Sequence, residues 1–544
     1  MVITPRSGAV AVAPRQGSAR GWILLALVAS LAIYAVGAAP TVLDRDSGEL
    51  QAVALTGGVA HTTGYPAFSM VGWVFGRLLP GDPAGRINLM SASFGAISVA
   101  LLVLIGAELS LAPAVAFAGA IVFGAGFTFW AAALRAEVYT IGVTLFLLAY
   151  WRTIVALRTD RPRDRFVAAL LLGLSLTGHL SSAPAVAVLG LSLAWRAFRL
   201  GRAVREWPLL VLGLVIGLTP YLHIIWADTH GAAVNYLHHA DKVFFPETGV
   251  PTGRFASPWY RLLWLTTGMN QAPGASSHLG LWNVVRTFVW STPLLILFEL
   301  GPIGAALIVP GFFAFRRENR GEADRIAWLA AASLLFSLLI VSGSLLALFM
   351  LFALAPLSLL AARGLQRMLP ATLVAARPWL VPACACAVML VPHAIRLWSY
   401  EHPIGPKHWT VLEEDASRPF KLLRRFDQPY EARDFGLGAL RVIPQGALVV
   451  GEWRELPILY YYCLALGERR DLTLQPLSMP ACEIAVLTWE RMHDVSRRPV
   501  IYLTMPAPLR LVVSGLDSVS VAPGRWIYVS REPLRAPSPG GTLP

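Results

Sequence analysis

The chain has 544 residues, of which 56% are hydrophobic and only 14% charged, with a mean hydropathy of +0.58. Soluble domains carry about 25% charged residues, so this composition excludes a set of ordinary soluble domains and points to an integral membrane protein. The net charge of +13 is nearly all arginine, since lysine occurs only at Lys242, Lys407 and Lys421. A nucleic-acid surface is excluded because the arginines gather between apolar runs, where they mark loops on one side of a membrane.

Residues 1–20 carry Arg6, Arg15 and Arg20 and read as a cytoplasmic tail. The run "GWILLALVASLAIYAVGAA" resembles a signal peptide. It is long enough to span a bilayer and many more apolar runs follow, so it is read as a retained first helix. Eleven apolar runs are expected to span, near 21–39, 87–107, 113–133, 138–157, 166–179, 181–197, 207–227, 291–315, 326–342, 345–362 and 378–395. The shorter segment 66–80 reads as re-entrant or interfacial.

Alternating those spans puts the basic clusters on the side of the N-terminus. These are "RTDRPRDR", then Arg196, Arg199, Arg202 and Arg205, then "RRENR", then Arg363 and Arg367. This positive-inside pattern leaves loops 40–86 and 228–290, and the chain beyond 396, outside the cytoplasm. In the C-terminal part, "GALVVGE", "LTLQPL", "RPVIYLTM" and "RWIYVS" read as strands. "LPILYYYCLALG" and "IAVLTWERMHDVS" read as helices. A small α/β domain within 396–535 is expected, followed by a disordered tail at 536–544.

The stretch "LDRDSGELQAVALTGGVAHTTGYP", Leu43–Pro66, concentrates Asp44, Asp46, Glu49 and His61 just outside the first span. Asp46 to Gly57 reads as a short amphipathic helix lying on the outer membrane surface. Asp46 and Glu49 are three apart and share its first turn. Two readings stay open. D-x-x-E is a capping-box spacing, in which Asp46 and Glu49 satisfy free backbone N–H groups. Alternatively, a carboxylate at the membrane surface serves as a general base or a metal ligand. His61, in a polar turn before an apolar segment, reads as a structural residue or as a contact to a lipid head group.

Other features are weighed more briefly. His230, His238, His239 and Asp241 lie in the second outer loop, but adjacent histidines point apart, which argues against a metal pair. "YRLLWLTTGMNQ" reads as an interfacial helix over the site. Glu299, inside an apolar run before Gly301–Pro302, is either functional or the cap of a broken helix; His179 and His223 pose the same question. Cys384 and Cys386 sit inside an apolar run, which argues against a metal pair, whereas Cys463 and Cys482 could form a disulfide if their segment is outside.

Three stretches together carry a resemblance. "DSGELQAVALTGGVAHTTGYP", "GRINLMSASFGAISVALL" and "RAEVYTIGVTLFLLAYW" resemble the protein O-mannosyltransferase-like family of GT-C membrane glycosyltransferases. That family shows D-x-G-E-L, A-H-P-P-G-Y-P, R-x-N-x-x-S-A and A-E-V-Y motifs; here Thr62 and Thr63 replace the two inner prolines. The resemblance is strongest over 40–200 and returns in "IPQGALVVGEWRELPILYYYCLALGERRDLTL".

It implies a mainly α polytopic helical bundle of GT-C type with a small C-terminal extracytoplasmic α/β domain, the bundle running over 21–395. It also implies an enzyme of the inner membrane of a bacterium that moves a sugar, usually mannose, from a polyprenyl-phosphate donor to a protein or glycan hydroxyl. On the matching positions Asp46 takes the catalytic role with Glu49 as its partner, and Asp44 is the runner-up. His61, Tyr65, Arg86, Arg135 and Glu137 are assigned to donor binding. No cofactor is assigned, although a divalent cation stays open. A transporter or lipid-linked sugar flippase is the alternative, disfavoured because the carboxylates gather at the surface rather than at midmembrane. A non-catalytic scaffold, indifferent to loss of Asp46, is a third reading.

Overall fold

The computed structural model describes residues 16–78, 80–159, 161–244, 250–268, 281–340, 345–385, 387, 430–476, 499–504 and 516–530. The expected features at 388–429, at the helix "IAVLTWERMHDVS", at Cys482 and at the tail 536–544 lie outside these residues.

Helices dominate, and their limits follow the chemistry of the chain. Helix α1 (Gln16–Gly37) leads to α2 (Arg45–Thr56) and α3 (Pro66–Leu78). Helix α4 (Pro83–Glu108) starts where Asp82 accepts a hydrogen bond from Gly85 N–H at 3.0 Å, with Pro83 in its first turn. Next come α5 (Pro113–Gly124) and α6 (Phe127–Ala133), bent by 75° at the Gly124–Gly126 break. Glu299 holds that bend by accepting from Thr128 N–H at 3.0 Å and from its hydroxyl at 2.6 Å. The intramembrane acid thus caps a broken helix, but the helix is α6, not its own.

Helices α7 (Val138–Thr159), α8 (Pro162–Gly178), α9 (Ala183–Arg199) and α10 (Ala203–Gly217) continue the bundle. Helices α11 (Tyr221–Thr229), α12 (Tyr236–Phe244) and α13 (Pro258–Thr267) form the second loop region. Further long helices cover Thr292–Glu318, Arg320–Ile340 and Leu351–Met368. Glycines set the closest crossings: a Cβ at Gly217 would strike the Leu170 carbonyl, and one at Gly311 would strike the Leu360 carbonyl. Apolar packing alone drives association weakly in lipid, so close backbone contact at small residues supplies it.

By length and composition, seven helices among the described residues can cross a membrane, or eight if the bent α5–α6 pair counts as one span. Helices also cover the expected runs 166–179 and 345–362, but α8 has 17 residues and the latter run is broken into Leu345–Phe349 and Leu351–Met368. Helix α1 exposes Leu24, Leu25, Val28, Ile33 and Val36, whereas α4 and α7 are largely enclosed. That contrast places α1 on the lipid-facing rim and α4–α7 at the centre of the bundle.

The C-terminal segment builds a five-stranded sheet in the order β2-β1-β3-β5-β4. Its strands are β1 (Leu448–Gly451), β2 (Thr473–Pro476), β3 (Val500–Tyr502), β4 (Leu516–Ala522) and β5 (Arg525–Ser530). β1 pairs in parallel with β2 and β3, while β5 pairs antiparallel with β3 and β4. All four residues of β1 are buried, as an apolar central strand requires. The four expected strands are present; β4, "LDSVSVA", is an additional strand, in which Val519 and Val521 alternate with Ser518 and Ser520.

Candidate active site

The site is built on α2 and its two flanking turns. Asp44, not Asp46, is the N-cap of α2, with extended φ/ψ of −86° and 177° and no side-chain cap bond. The expected capping box therefore does not form. Nor does α2 lie on a surface: Ser47 to Ala54 are all buried, enclosed by α3, α4 and the segment Leu456–Leu466. At Gly48, an added Cβ would sit 3.2 Å from Pro457 Cβ, so the C-terminal segment rests directly on the helix.

Freed from capping, Glu49 turns toward the next turn of chain. It is 2% exposed, accepts from the His61 backbone N–H at 2.8 Å, and forms a very short ion pair with His61 Nδ1. Burial opposes charge on His61, but the Glu49 and Asp46 carboxylates outweigh it and raise the imidazole to about 9. Burial also raises the Glu49 carboxyl, with His61 pulling the other way. The pair is best described as imidazolium and carboxylate, each stabilising the charge on the other.

Asp46 is half-buried, and one carboxylate oxygen accepts from Trp453 Nε1–H at 2.5 Å. Trp453 follows β1, so the C-terminal sheet supplies a wall of the site. Arg45 N–H donates to the Arg454 carbonyl at 3.2 Å, and Arg454 Nε lies 3.8 Å from Asp44. Rings enclose His61 on three sides: Tyr65 at 5.3 Å, Trp453 at 5.9 Å and Tyr236 at 6.5 Å, all edge-on. Behind Tyr65, His179 is stacked between Tyr65 at 5.2 Å and Tyr139 at 4.6 Å. The backbones of Arg45 (φ 54°) and Tyr65 (φ 42°) both occupy the left-handed region, which is uncommon for non-glycine residues and is held here by the contacts on either side of α2.

A buried amide network sets the level of these groups. Gln51 Oε1 accepts from Leu43 N–H at 3.0 Å, and its Nε2 donates to Asn88 Oδ1 at 2.8 Å. Asn88 Oδ1 also accepts from Ala136 N–H at 2.8 Å, while its amide donates to the Ala39 carbonyl at 2.7 Å. Ser91 Oγ accepts from Glu137 N–H at 3.2 Å. The three stretches quoted for the family resemblance are thus joined to one another through Gln51, Asn88, Ser91 and Ala136–Glu137. Glu137 pairs with Arg135 at 3.2 Å and acts electrostatically on both His61 and Tyr65.

The fold therefore gathers Asp46, Glu49, His61, Tyr65 and the Arg135–Glu137 pair. It does not gather Arg86, whose guanidinium donates to the backbone carbonyls of Gly76 at 2.6 Å and Gly81 at 2.7 Å. Arg86 lines a separate cavity of about 440 Å³ beside Pro40, Asp82 and Tyr430. Its role here is to staple the turn between α3 and α4. Among the described residues, no three His, Cys, Asp or Glu side chains converge as metal ligands. Sequence reasoning missed Trp453, Tyr236 and the amide network. Trp453 was within a quoted stretch, but nothing local marks it as a partner of Asp46.

A model of the family described as "Protein O-mannosyl-transferase TMEM260 N-terminal domain" matches residues 46–201, beginning at Asp46 itself. This region is protein O-mannosyltransferase-like. Protein O-mannosyl-transferase TMEM260 of Mus musculus is 29% identical over 221 residues, 39% of this chain and 31% of the relative. The Dictyostelium discoideum protein of the same name is 37% identical over 79 residues, 14% of this chain and 10% of the relative. The matched part therefore spans under a third of either relative.

The fold as a whole is of GT-C type. ArnT from Cupriavidus metallidurans superimposes in its apo state with a TM-score of 0.55 at 12% identity, covering 94% of this chain and 98% of ArnT. The ArnT structure bound to undecaprenyl phosphate gives 0.52 at 13% identity over the same shares. The likeness covers bundle and C-terminal sheet together. Asp46, Glu49, His61, Tyr65, Arg135, Glu137 and His179 lie within the matched residues 46–201, whereas Tyr236 comes from the second loop and Trp453 follows β1.

Proposed function

We propose that this integral membrane protein is a GT-C glycosyltransferase that transfers a sugar, mannose being the first choice, from a polyprenyl-phosphate donor to a hydroxyl. The reaction is assigned to the extracytoplasmic face of a bacterial inner membrane, with the N-terminus cytoplasmic and the sheet outside. The observation that carries this reading is the half-buried Asp46 carboxylate, oriented by Trp453 beside an imidazolium and a ring of aromatic side chains. Similarity to proteins named O-mannosyl-transferases supports the chemistry. The ArnT fold, seen there with undecaprenyl phosphate, supports the lipid-linked donor.

In the proposed step the acceptor oxygen forms a bond to the anomeric carbon as the bond from that carbon to the phosphate oxygen breaks. The acceptor proton passes to Asp46, and the electron pair leaves with the phosphate. The more exposed carboxylate is the one free to meet a hydroxyl, whereas Glu49 is committed to His61. The Glu49-fixed imidazolium and the Arg135 guanidinium offer positive charge to the departing phosphate. Tyr65 shapes the wall between His61 and His179.

The test is incubation of the purified protein with a panel of polyprenyl-phosphate sugars, scoring sugar release and transfer, for the parent and for Asp46→Asn. Turnover with one donor that is lost in Asp46→Asn is the expected result. Turnover unaffected by the substitution overturns the role of Asp46, and no turnover with any donor favours the flippase reading.

A further inference from the structure

A cavity of about 250 Å³ lies within the helical bundle, between α5 and the helices Thr292–Glu318 and Leu351–Met368, with residues 380–385 along one side. Every described lining residue is Ala, Gly, Val, Ile, Leu or Cys. Small residues set its buried side. An added Cβ at Gly119 would meet Ala362 Cβ at 2.7 Å, so α5 and Leu351–Met368 cross there as closely as two backbones allow. Ile303, Leu373 and Cys384 are exposed, so the opposite side opens out of the bundle toward lipid. An apolar cavity of about 150 Å³ stays dry and accepts a small hydrocarbon. This one is larger, and its mouth faces hydrocarbon rather than water.

The cavity is far from the acidic site. Helix α4 starts beside Gln51, through Asn88, and its 26 residues carry it about 39 Å to Glu108. There Glu108 accepts from Arg158 at the end of α7 at 2.6 Å, and Ala112 N–H donates to Gln366 Oε1 at 2.7 Å. Leu365 and Leu369, which line the cavity, therefore lie at the end of the bundle opposite α2. Arginine placement assigns that end to the cytoplasmic leaflet. Two exposed arginines flank the lining in sequence, Arg367 between Leu365 and Leu369 and Arg377 between Leu373 and Leu380. Arg363 at this end is paired with Glu318, whereas neither Arg367 nor Arg377 has an ion pair among the described residues. The exposed Trp379 next to Arg377 marks the same interface.

We propose that this cavity holds one acyl chain of a glycerophospholipid from that leaflet, with the lipid phosphate on Arg367 and Arg377. The inference stands apart from the transferase reading. A polar ligand is excluded from the cavity because the described lining offers it no side-chain hydrogen bond. A guanidinium matches a phosphate in charge and in geometry. A chain running inward from a phosphate held there meets only apolar side chains. A lipid whose phosphate lay beside α2 would enter from the other leaflet, at the opposite end of α4.

The test is native mass spectrometry of the full chain, purified in detergent and titrated with palmitoyl-oleoyl phosphatidylglycerol or with the matching diacylglycerol, which has the chains but no phosphate. One phospholipid per chain should bind tightest, about tenfold more tightly than the diacylglycerol, the scale of a hydrogen bond to a charged group. Arg367→Gln combined with Arg377→Gln should erase that difference. Ala385→Phe should fill the space and remove the tight lipid; Ile303→Trp, at an exposed lining position, is a second filler should the first fail to fold. Added phospholipid should raise the Tm of the parent but not of a filled variant, whose ring already occupies the gap. Retention of the tight lipid by the filled variants, equal binding of phospholipid and diacylglycerol, or no tight lipid on the parent overturns the inference. Displacement of the phospholipid by an equal concentration of polyprenyl phosphate overturns it in favour of a polyprenyl tail.

Discussion

The motif-dense region from Leu43 to Tyr139 and the C-terminal unit from Leu448 to Ser530 meet over one carboxylate, but they serve it differently. The first region supplies the charged groups and locks them with short-range contacts, such as Glu49 to His61, twelve residues apart. The second supplies a single oriented N–H, from Trp453 to Asp46, across 407 residues of sequence. In the proposed mechanism one region supplies the base; the other engages one of its two carboxylate oxygens. A carboxylate and the group that orients it can therefore belong to distant parts of a chain, and only the former leaves a local pattern.

Perturbations of the two regions should separate them. The largest effect is expected for Asp46→Asn, which should lower sugar transfer about 10²–10⁴-fold, the usual range for loss of a general base. An unchanged unfolding temperature would show that the loss is chemical. Glu49→Gln should act on the fold instead, because it strands a buried imidazolium; about 3–5 kcal/mol of stability is at stake, readable as a lowered Tm in detergent. A parent-like Tm would mean the ion pair is dispensable.

Asn88→Ala removes the junction between three motif stretches and should lower stability by about 1–3 kcal/mol. If it also slows transfer at unchanged donor KM, the network positions Asp46 and Glu137 rather than merely filling space. Trp453→Phe keeps an aromatic side chain but removes the pyrrole ring together with its N–H. About a tenfold fall in kcat/KM is expected from loss of one hydrogen bond to a charged group, and parent-level kinetics would reduce the C-terminal wall to passive cover.

The mildest perturbation is pH. His61 has a folded value raised to about 9 from its ordinary 6.5, so its pairing with Glu49 contributes fully below about 6.5. That contribution should fade as pH rises through about 9. Thermal unfolding followed between those values should show declining Tm in the parent and a flatter profile in His61→Gln; a flat parent profile would break the ion-pair description.

Much of the bundle was legible because hydropathy and capping residues act locally. The break at Gly124–Gly126 was not. "GAGF" looks like an ordinary interruption of an apolar run, and the cap that makes it a bend is Glu299, 171 residues from Thr128. In the site, acid type and spacing picked out Asp46, Glu49 and His61, but the same spacing equally described a capping box. Arg86 shows the opposite failure: an arginine on the expected side of the membrane was assigned to the donor, yet backbone carbonyls of the α3–α4 turn claim its guanidinium.

By itself the sequence determined that this protein lives in a membrane, that it is mainly helical with a small sheet near its end, and that acidic residues concentrate after the first helix. Hydropathy, strand alternation and arginine placement are properties of short segments, and water or lipid reads them segment by segment. Tertiary structure decided which partners the carboxylates take. Packing of the C-terminal segment on α2 buried Glu49 against His61 and gave Asp46 its Trp453 partner. A charge removed from water must take whichever partner the fold delivers, and chain spacing cannot reveal which one that is.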